Sequence, residues 1–118
     1  MTEMAKKFDK DKTVFGLIPP LAEQDVADVF TFGSKKYGKW NYLKGHESLA
    51  LYSAVRRHLH SYFIGDFIDS ESGLPHLAHA AATILMLLEQ HHIQSVMDNR
   101  PYTETKGEMR VDKQSIVR

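Results

Sequence analysis

Gly65-Asp66-Phe67-Ile68-Asp69-Ser70-Glu71-Ser72-Gly73-Leu74-Pro75-His76-Leu77-Ala78-His79-Ala80 packs three carboxylates, two histidines and two glycines into sixteen residues, and leads straight into an apolar stretch that ends at Leu88. An acidic loop opening a helix is the reading that organises the rest of the chain. The helix is predicted to begin between Ser70 and Pro75 and to run to about His92. Ala78, Ala80, Ala81 and Ala82 are small enough to let another helix approach, while Leu77, Ile84, Leu85, Leu87 and Leu88 are apolar on several faces. A helix of that kind is expected to be buried, either at the centre of the domain or between subunits.

Working upstream, Ser48 is a candidate N-cap. From it two adjacent stripes recur, Leu49, Tyr52, Leu59, Phe63 and Leu51, Val55, His58, Tyr62, which predict a helix from about Leu49 to Ile64 closed by Gly65. Further back, Pro19-Pro20 marks a helix start, because proline lacks only an amide that the first turn leaves unpaired anyway. The apolar spacing after it predicts a helix from about Leu21 to Phe32 or slightly beyond. The segment from Gly33 to Gly45 holds three glycines, four lysines and three aromatics, and is expected to break that helix into a basic, aromatic loop. The expected fold is all-α: a compact bundle of about three main helices, completed by oligomerisation.

Length and composition set limits on function. With 118 residues, 42% of them hydrophobic, one domain with a small core is expected, its core at about 8–95 and its peripheral arm and tail at 1–12 and 102–118. Fifteen basic and fifteen acidic residues cancel, so no global field recruits a nucleic acid polymer or an anionic membrane. There is no cysteine, which excludes disulfides, thiolate metal sites and cysteine nucleophiles. The charged N-terminus lacks the apolar core of a signal peptide. The apolar run from Leu77 to Leu88 is too short to span a bilayer, which takes roughly 20 residues, and a cytoplasmic location is expected. Neither a Walker A sequence nor a G-x-G-x-x-G or G-x-S-x-G motif occurs.

Chemistry concentrates in the quoted stretch. On a helix His76 and His79 are neighbours, and Asp69 and Glu71 lie just upstream, near the positive end of the helix dipole. If the loop folds back over the first turn, carboxylates and imidazoles converge into a ligand set suited to a first-row divalent metal. A plainer reading stands beside it: Asp69 or Ser72 only caps the helix, and the histidines are hydrogen-bonded core residues. Elsewhere, Lys35 and Lys36 can neutralise phosphate, and Tyr37, Trp40 or Tyr42 can stack on a base or simply anchor the core. Arg57 suits bidentate phosphate recognition or a surface ion pair with Asp25 or Asp28.

Taken in order, Asp9-Lys10-x-Lys12, Leu17-Ile18-Pro19-Pro20, Phe32-Gly33-x-Lys35-Lys36-Tyr37-Gly38, Asn41-Tyr42-x-Lys44-Gly45, Arg57-His58-Leu59 and Gly65-Asp66-x-x-Asp69-x-Glu71-Ser72-Gly73-Leu74-Pro75-His76-Leu77-x-His79-Ala80 resemble the phage-encoded dATP/dGTP diphosphohydrolase N-terminal family. The likeness extends over about residues 8–90. It implies an all-α domain, related to the MazG-like nucleotide pyrophosphohydrolases, that binds a purine deoxynucleoside triphosphate and cuts between its α and β phosphates with Mg2+ or Mn2+. The E-x-x-E and E-x-x-D magnesium motifs of typical MazG-like enzymes are not recognisable, and Gly65-Asp66 stands where relatives usually carry Gly-Glu. On this resemblance Asp69, Glu71, His76 and His79 are the expected metal ligands, with Asp66 a further candidate. Glu71 orients the attacking water and His58 carries a proton. Lys35, Lys36, Tyr37, Trp40, Asn41 and Arg57 are expected to bind the substrate. The alternative is a protein that holds or sequesters a nucleotide without cutting it. The expected setting is a homo-oligomer in the cytoplasm, that of the host if the chain is phage-encoded.

Overall fold

A computed structural model describes residues 3–102; most of the expected tail lies outside the described residues. Three helices carry the fold: α1 over Pro20–Tyr37, α2 over Ser48–Phe63 and α3 over His76–His92, with short 3-10 turns at Phe15–Leu17 and Asn41–Lys44. No β-strand occurs among the described residues, and two isolated bridges, Glu47 with Met97 and Ile68 with Pro75, tie the loops together. The all-α expectation holds.

Helix α3 is the central element. It packs against both other helices, most extensively against α2. Ala78 and Ala82 fall on one side of the helix and Ala80 on the opposite side, and all three are buried. Small residues on both flanks let two neighbours approach one helix. The remainder of α3 departs from the expectation of burial all round. Ile84, Leu85 and Leu88 are about half exposed, because among the described residues only two helices are present to cover a cylinder with more than two apolar faces. The same economy applies to α2. Of its two stripes, Leu51 and Val55 are buried, whereas Leu49, Tyr52, Leu59 and Phe63 stay exposed.

The helix ends follow local rules in some places and tertiary contacts in others. Helix α1 starts with Pro20 in its first turn and carries Lys35 and Lys36 in its last, where cations offset the negative end of the dipole. It passes through Gly33 and stops only at Gly38, whose φ of 92° leaves the helical region. The expected loop therefore contracts to residues 38–47. Ser48 does not cap α2; the capping position is Glu47, and it makes no side-chain cap bond. The Ser48 hydroxyl instead donates to Asn99 Oδ1 at 3.0 Å and accepts from the Asn99 amide at 3.0 Å, while Asn99 Oδ1 also accepts the Leu49 N–H at 2.9 Å. An orphan amide of the first turn is thus satisfied by a residue fifty positions away.

At the other end of α2, Asp66 N–H donates to Ser61 O and Gly65 N–H to Tyr62 O, with Gly65 at φ 98°. This is a Schellman closure, in which glycine accepts the conformation that L side chains resist. It turns the chain sharply into the acidic loop and places Asp66 beside the start of α3.

Candidate functional site

The loop between α2 and α3 folds back on itself. Asp69 N–H donates to Leu74 O at 2.9 Å, Gly73 N–H to Asp69 O at 2.8 Å and His76 N–H to Phe67 O at 3.0 Å. Inside that turn Asp69 Oδ1 accepts the backbone N–H of Glu71 at 3.0 Å and of Ser72 at 2.9 Å. An aspartate is suited to this, since its short side chain reaches amides two and three residues ahead. With Oδ1 so engaged, Oδ2 carries the lone pairs available to a ligand. Burial alone would raise the Asp69 carboxyl, but the Ser72 amide, the charge of His79 and the Glu71 amide outweigh it and hold the group below the usual carboxylate range.

Across from the loop, α2 presents His58. Its Nδ1 lies 2.9 Å from Nδ1 of His76, although the two residues are eighteen positions apart. One ligand atom each from His58, Asp69 and His76 falls within 4.8 Å of the others, and no other such group of three occurs among the described residues. The donor set fits a divalent ion. Two imidazoles and a carboxylate suit first-row metals, and ligands at about 2.1 Å on adjacent corners of an octahedron stand about 3 Å apart, close to the His58–His76 separation. The next shell agrees. His76 Nε2 faces Asp66 Oδ2 at 3.3 Å, which places the ring proton on Nε2 and leaves Nδ1 bare, the arrangement by which a carboxylate orients a ligating histidine. His76 Nδ1 can then accept a hydrogen bond donated by His58 Nδ1–H. A cation at the same place would require only that His58 carry its proton on Nε2 instead.

His79 is held differently. Its Nε2 lies 2.6 Å from Ser72 Oγ, which also accepts the Leu74 N–H at 3.1 Å. The ring stacks on His58 with centroids 4.7 Å apart and planes 11° from parallel, and meets Phe32 edge-on. His79 therefore braces the His58 ring and stands outside the group of three. Glu71 is also outside it: its Oε1 accepts from Lys36 Nζ at 2.8 Å, joining the acidic loop to the last turn of α1. Both partners of that pair are well exposed, so solvent screening leaves it little weight in stability.

These groups open onto a pocket of about 650 Å³ between α1, the 38–46 loop, α2 and α3. His58, Asp69, Glu71 and His79 line one part of it, and Lys36, Tyr37, Trp40 and Asn41 line another, together with Phe30 and Tyr42. Trp40 takes a left-handed backbone with φ 65°, a rare state for a bulky side chain, and two thirds of it is exposed beside the pocket. Lys35 and Arg57 are exposed and do not form part of the pocket wall. His46 does line it, and sequence reading passed over it. Its only signal there was its place after Gly45, at the end of a short motif.

The histidines make stability sensitive to acid. Burial, then the charges of His79 and His76, lower His58; burial, and more weakly the charge of His76, lower His79 against the opposing pull of Asp69 and Glu71. The folded chain thus binds fewer protons than the unfolded chain once pH drops through the ordinary imidazole value near 6.5. Their contribution is complete above that value and is lost as pH falls towards the lower folded-state values. Asp69, shifted down from a carboxylate value, is silent in this range and matters only below about pH 4. Thermal melts of metal-free protein are expected to show a lower midpoint at pH 5.5 than at pH 7.5. A His58→Gln, His79→Gln double variant should flatten that difference, and an unchanged slope would refute the attribution.

Comparison with known proteins agrees with the resemblance. A family model described as dATP/dGTP diphosphohydrolase, N-terminal, matches residues 2–100. A protein of Salmonella phage PMBT28 named dATP/dGTP diphosphohydrolase is 31% identical over 110 residues, which cover 93% of this chain and 38% of that protein. The chain therefore spans little more than a third of the length of this relative. No solved structure is significantly similar to the chain.

Proposed function

The chain belongs to the dATP/dGTP diphosphohydrolase N-terminal family, and from that premise we propose that its pocket takes a purine deoxynucleoside triphosphate and hydrolyses it to the monophosphate and pyrophosphate. One observation carries the reading: a carboxylate and two imidazoles, from α2, the following loop and the first residue of α3, share one small volume, and His58 and Asp69 of that group stand at the wall of a pocket large enough for a nucleotide. The family-level activity is that of a hydrolase; substrate, metal and cleavage position are the proposal.

In this reading His58, Asp69 and His76 hold a divalent ion, Mn2+ in preference to Mg2+ because two of the three donors are imidazoles. When bound, such an ion polarises a phosphoryl group and makes water acidic enough to attack near neutral pH. The chain's own residues do the rest. Asp66 keeps the His76 ring turned inward, and His79 keeps His58 from rotating away. Glu71 orients the attacking water by accepting its proton, with Lys36 able to leave the carboxylate for the triphosphate. Lys35 and Arg57, outside the wall, add positive charge for the outer phosphates. Tyr37, Trp40 and Asn41 contact the nucleoside. The test is pyrophosphate release from dGTP or dATP with Mn2+ or Mg2+. Tight binding without release would instead favour sequestration, and neither binding nor release would overturn both readings.

A homo-oligomer belongs to the same proposal. It is supported by the exposed stripe Leu49, Tyr52, Leu59 and Phe63 on α2 and by Ile84 and Leu88 on α3, since contiguous exposed apolar side chains mark protein contacts. Sedimentation velocity should give a mass above the 13.5 kDa of one chain, and a Leu59→Glu, Phe63→Glu variant should move toward that mass. A wild-type chain that sediments as a monomer at all concentrations removes this part.

A further inference from the structure

Gln90 is the largest side chain fully withdrawn from solvent among the described residues, and all of its amide is spoken for. Its Oε1 accepts the His46 backbone N–H at 2.9 Å, which settles which end of the amide is oxygen. Its Nε2 donates to the Tyr42 carbonyl at 2.9 Å and lies 2.9 Å from His46 Nδ1. An amide nitrogen only donates, so His46 Nδ1 must accept, and the neutral ring carries its proton on Nε2. His46 lines the same pocket as His58 and Asp69 of the candidate ligand group. Its ring is fixed on one side by a buried partner and bears one donor on the other.

The position along α3 separates this donor from the phosphate chemistry. Gln90 lies eleven residues beyond His79, about 16 Å along the helix axis. The intervening pocket wall includes Thr83 and Met86 from α3, with Phe30 and Tyr42 opposite. The wall that carries His58, Asp69 and Glu71 is charged, whereas the wall that His46 shares with Phe30, Tyr42 and Met86 is largely aromatic and apolar. An extended nucleotide with its phosphates at the first has its base at the second.

We propose that His46 is a base-reading residue, its Nε2–H donating to an acceptor on the purine edge, and that Gln90 is the positioning residue that holds the required tautomer. This rests on the nucleotide reading above. A lone fixed donor that serves both adenine and guanine needs an acceptor common to both. N7 is that acceptor on the edge bearing the 6-substituent, where O6 of guanine and the 6-amino group of adenine have opposite polarity. The site then separates purines from pyrimidines without distinguishing the two purines.

Two measurements test it on the intact chain. The first is the ¹⁵N pattern of the His46 imidazole in ligand-free protein, which is expected to report a protonated Nε2 and an unprotonated Nδ1; the opposite tautomer overturns the proposal whatever the protein binds. The second compares dGTP with 7-deaza-dGTP, in which N7 is replaced by a C–H group. Wild type is expected to bind the deaza compound roughly five- to tenfold more weakly, the worth of one neutral hydrogen bond, with the loss in KM and little change in kcat. His46→Phe is expected to bind both equally. Equal binding of the two by wild type overturns the base-reading role while leaving the nucleotide reading intact, and failure to bind either triphosphate removes that reading itself.

Discussion

Asp69→Asn is expected to abolish metal-dependent pyrophosphate release, lowering kcat/KM by at least about a hundredfold, while leaving the fold unchanged. The substitution is nearly isosteric, and asparagine Oδ1 can still accept the Glu71 and Ser72 amides that shape the loop. What disappears is the negative charge, and with it the only carboxylate among the three candidate ligands. A catalytic cation supplies several kcal/mol of transition-state stabilisation, and each 1.4 kcal/mol or so is tenfold in rate. Calorimetric titration with Mn2+ should show the loss of affinity directly, and circular dichroism should show retained helix. Wild-type turnover in Asp69→Asn would sink the assignment. Glu71→Gln separates the two carboxylates: if Glu71 only orients water, kcat falls while Mn2+ affinity holds. If Glu71 is itself a ligand, as the local sequence suggested, the affinity falls too.

Gly45→Ala is expected to prevent stable folding. Gly45 has φ 97°, and a Cβ at this position would overlap the Ser95 carbonyl oxygen. The obstacle is backbone, so no rotamer change relieves it. Left-handed strain alone costs about 1–2 kcal/mol, and separating the 45–48 segment from residues 95–97 also breaks the Met97 N–H to His46 O and Ser48 N–H to Met97 O bonds, both 2.9 Å. A total of several kcal/mol is comparable to the whole stability of many small domains. Urea denaturation and the helical signal should therefore show an unfolded or strongly destabilised chain. Gly16→Ala is the control, since a Cβ there meets nothing within 4 Å. A Gly45→Ala midpoint equal to wild type would show that the 95–97 segment does not pack as described.

Both results bear on what could be read before the fold was in hand. The acidic loop announced itself because its parts are contiguous. Asp69 and His76 are seven residues apart, and a turn closed by Gly73 returns one to the other. The stretch also named Glu71 and His79, because counting along a helix or loop shows which residues are near in sequence and not which way they turn. Glu71 has a partner thirty-five residues back in Lys36, and His79 is taken by Ser72. His58 appeared in an apolar stripe and as an expected proton carrier, not as a metal ligand, yet it supplies the second imidazole of the group.

The residues themselves settled the three helices, their order and most of their spans, since apolar spacing, Pro20 and Gly65 act within a few residues, whereas α1 ran past Gly33 to Gly38, beyond its expected end near Phe32. Composition settled the chemistry that is excluded, because a chain without cysteine has no thiolate to offer. Packing settled which side chains share a volume. Bringing α2 against α3 put His58 beside His76, and folding residues 95–99 onto the start of α2 put Asn99 on the Leu49 amide and on the Ser48 hydroxyl that local sequence marked as a cap. Seating Gln90 of α3 against residues 42–46 set the tautomer of His46. Such outcomes depend on crossing helices and on rotamers chosen by neighbours far along the chain. Local periodicity decides which face of a helix is apolar, whereas a site forms where faces from different elements meet.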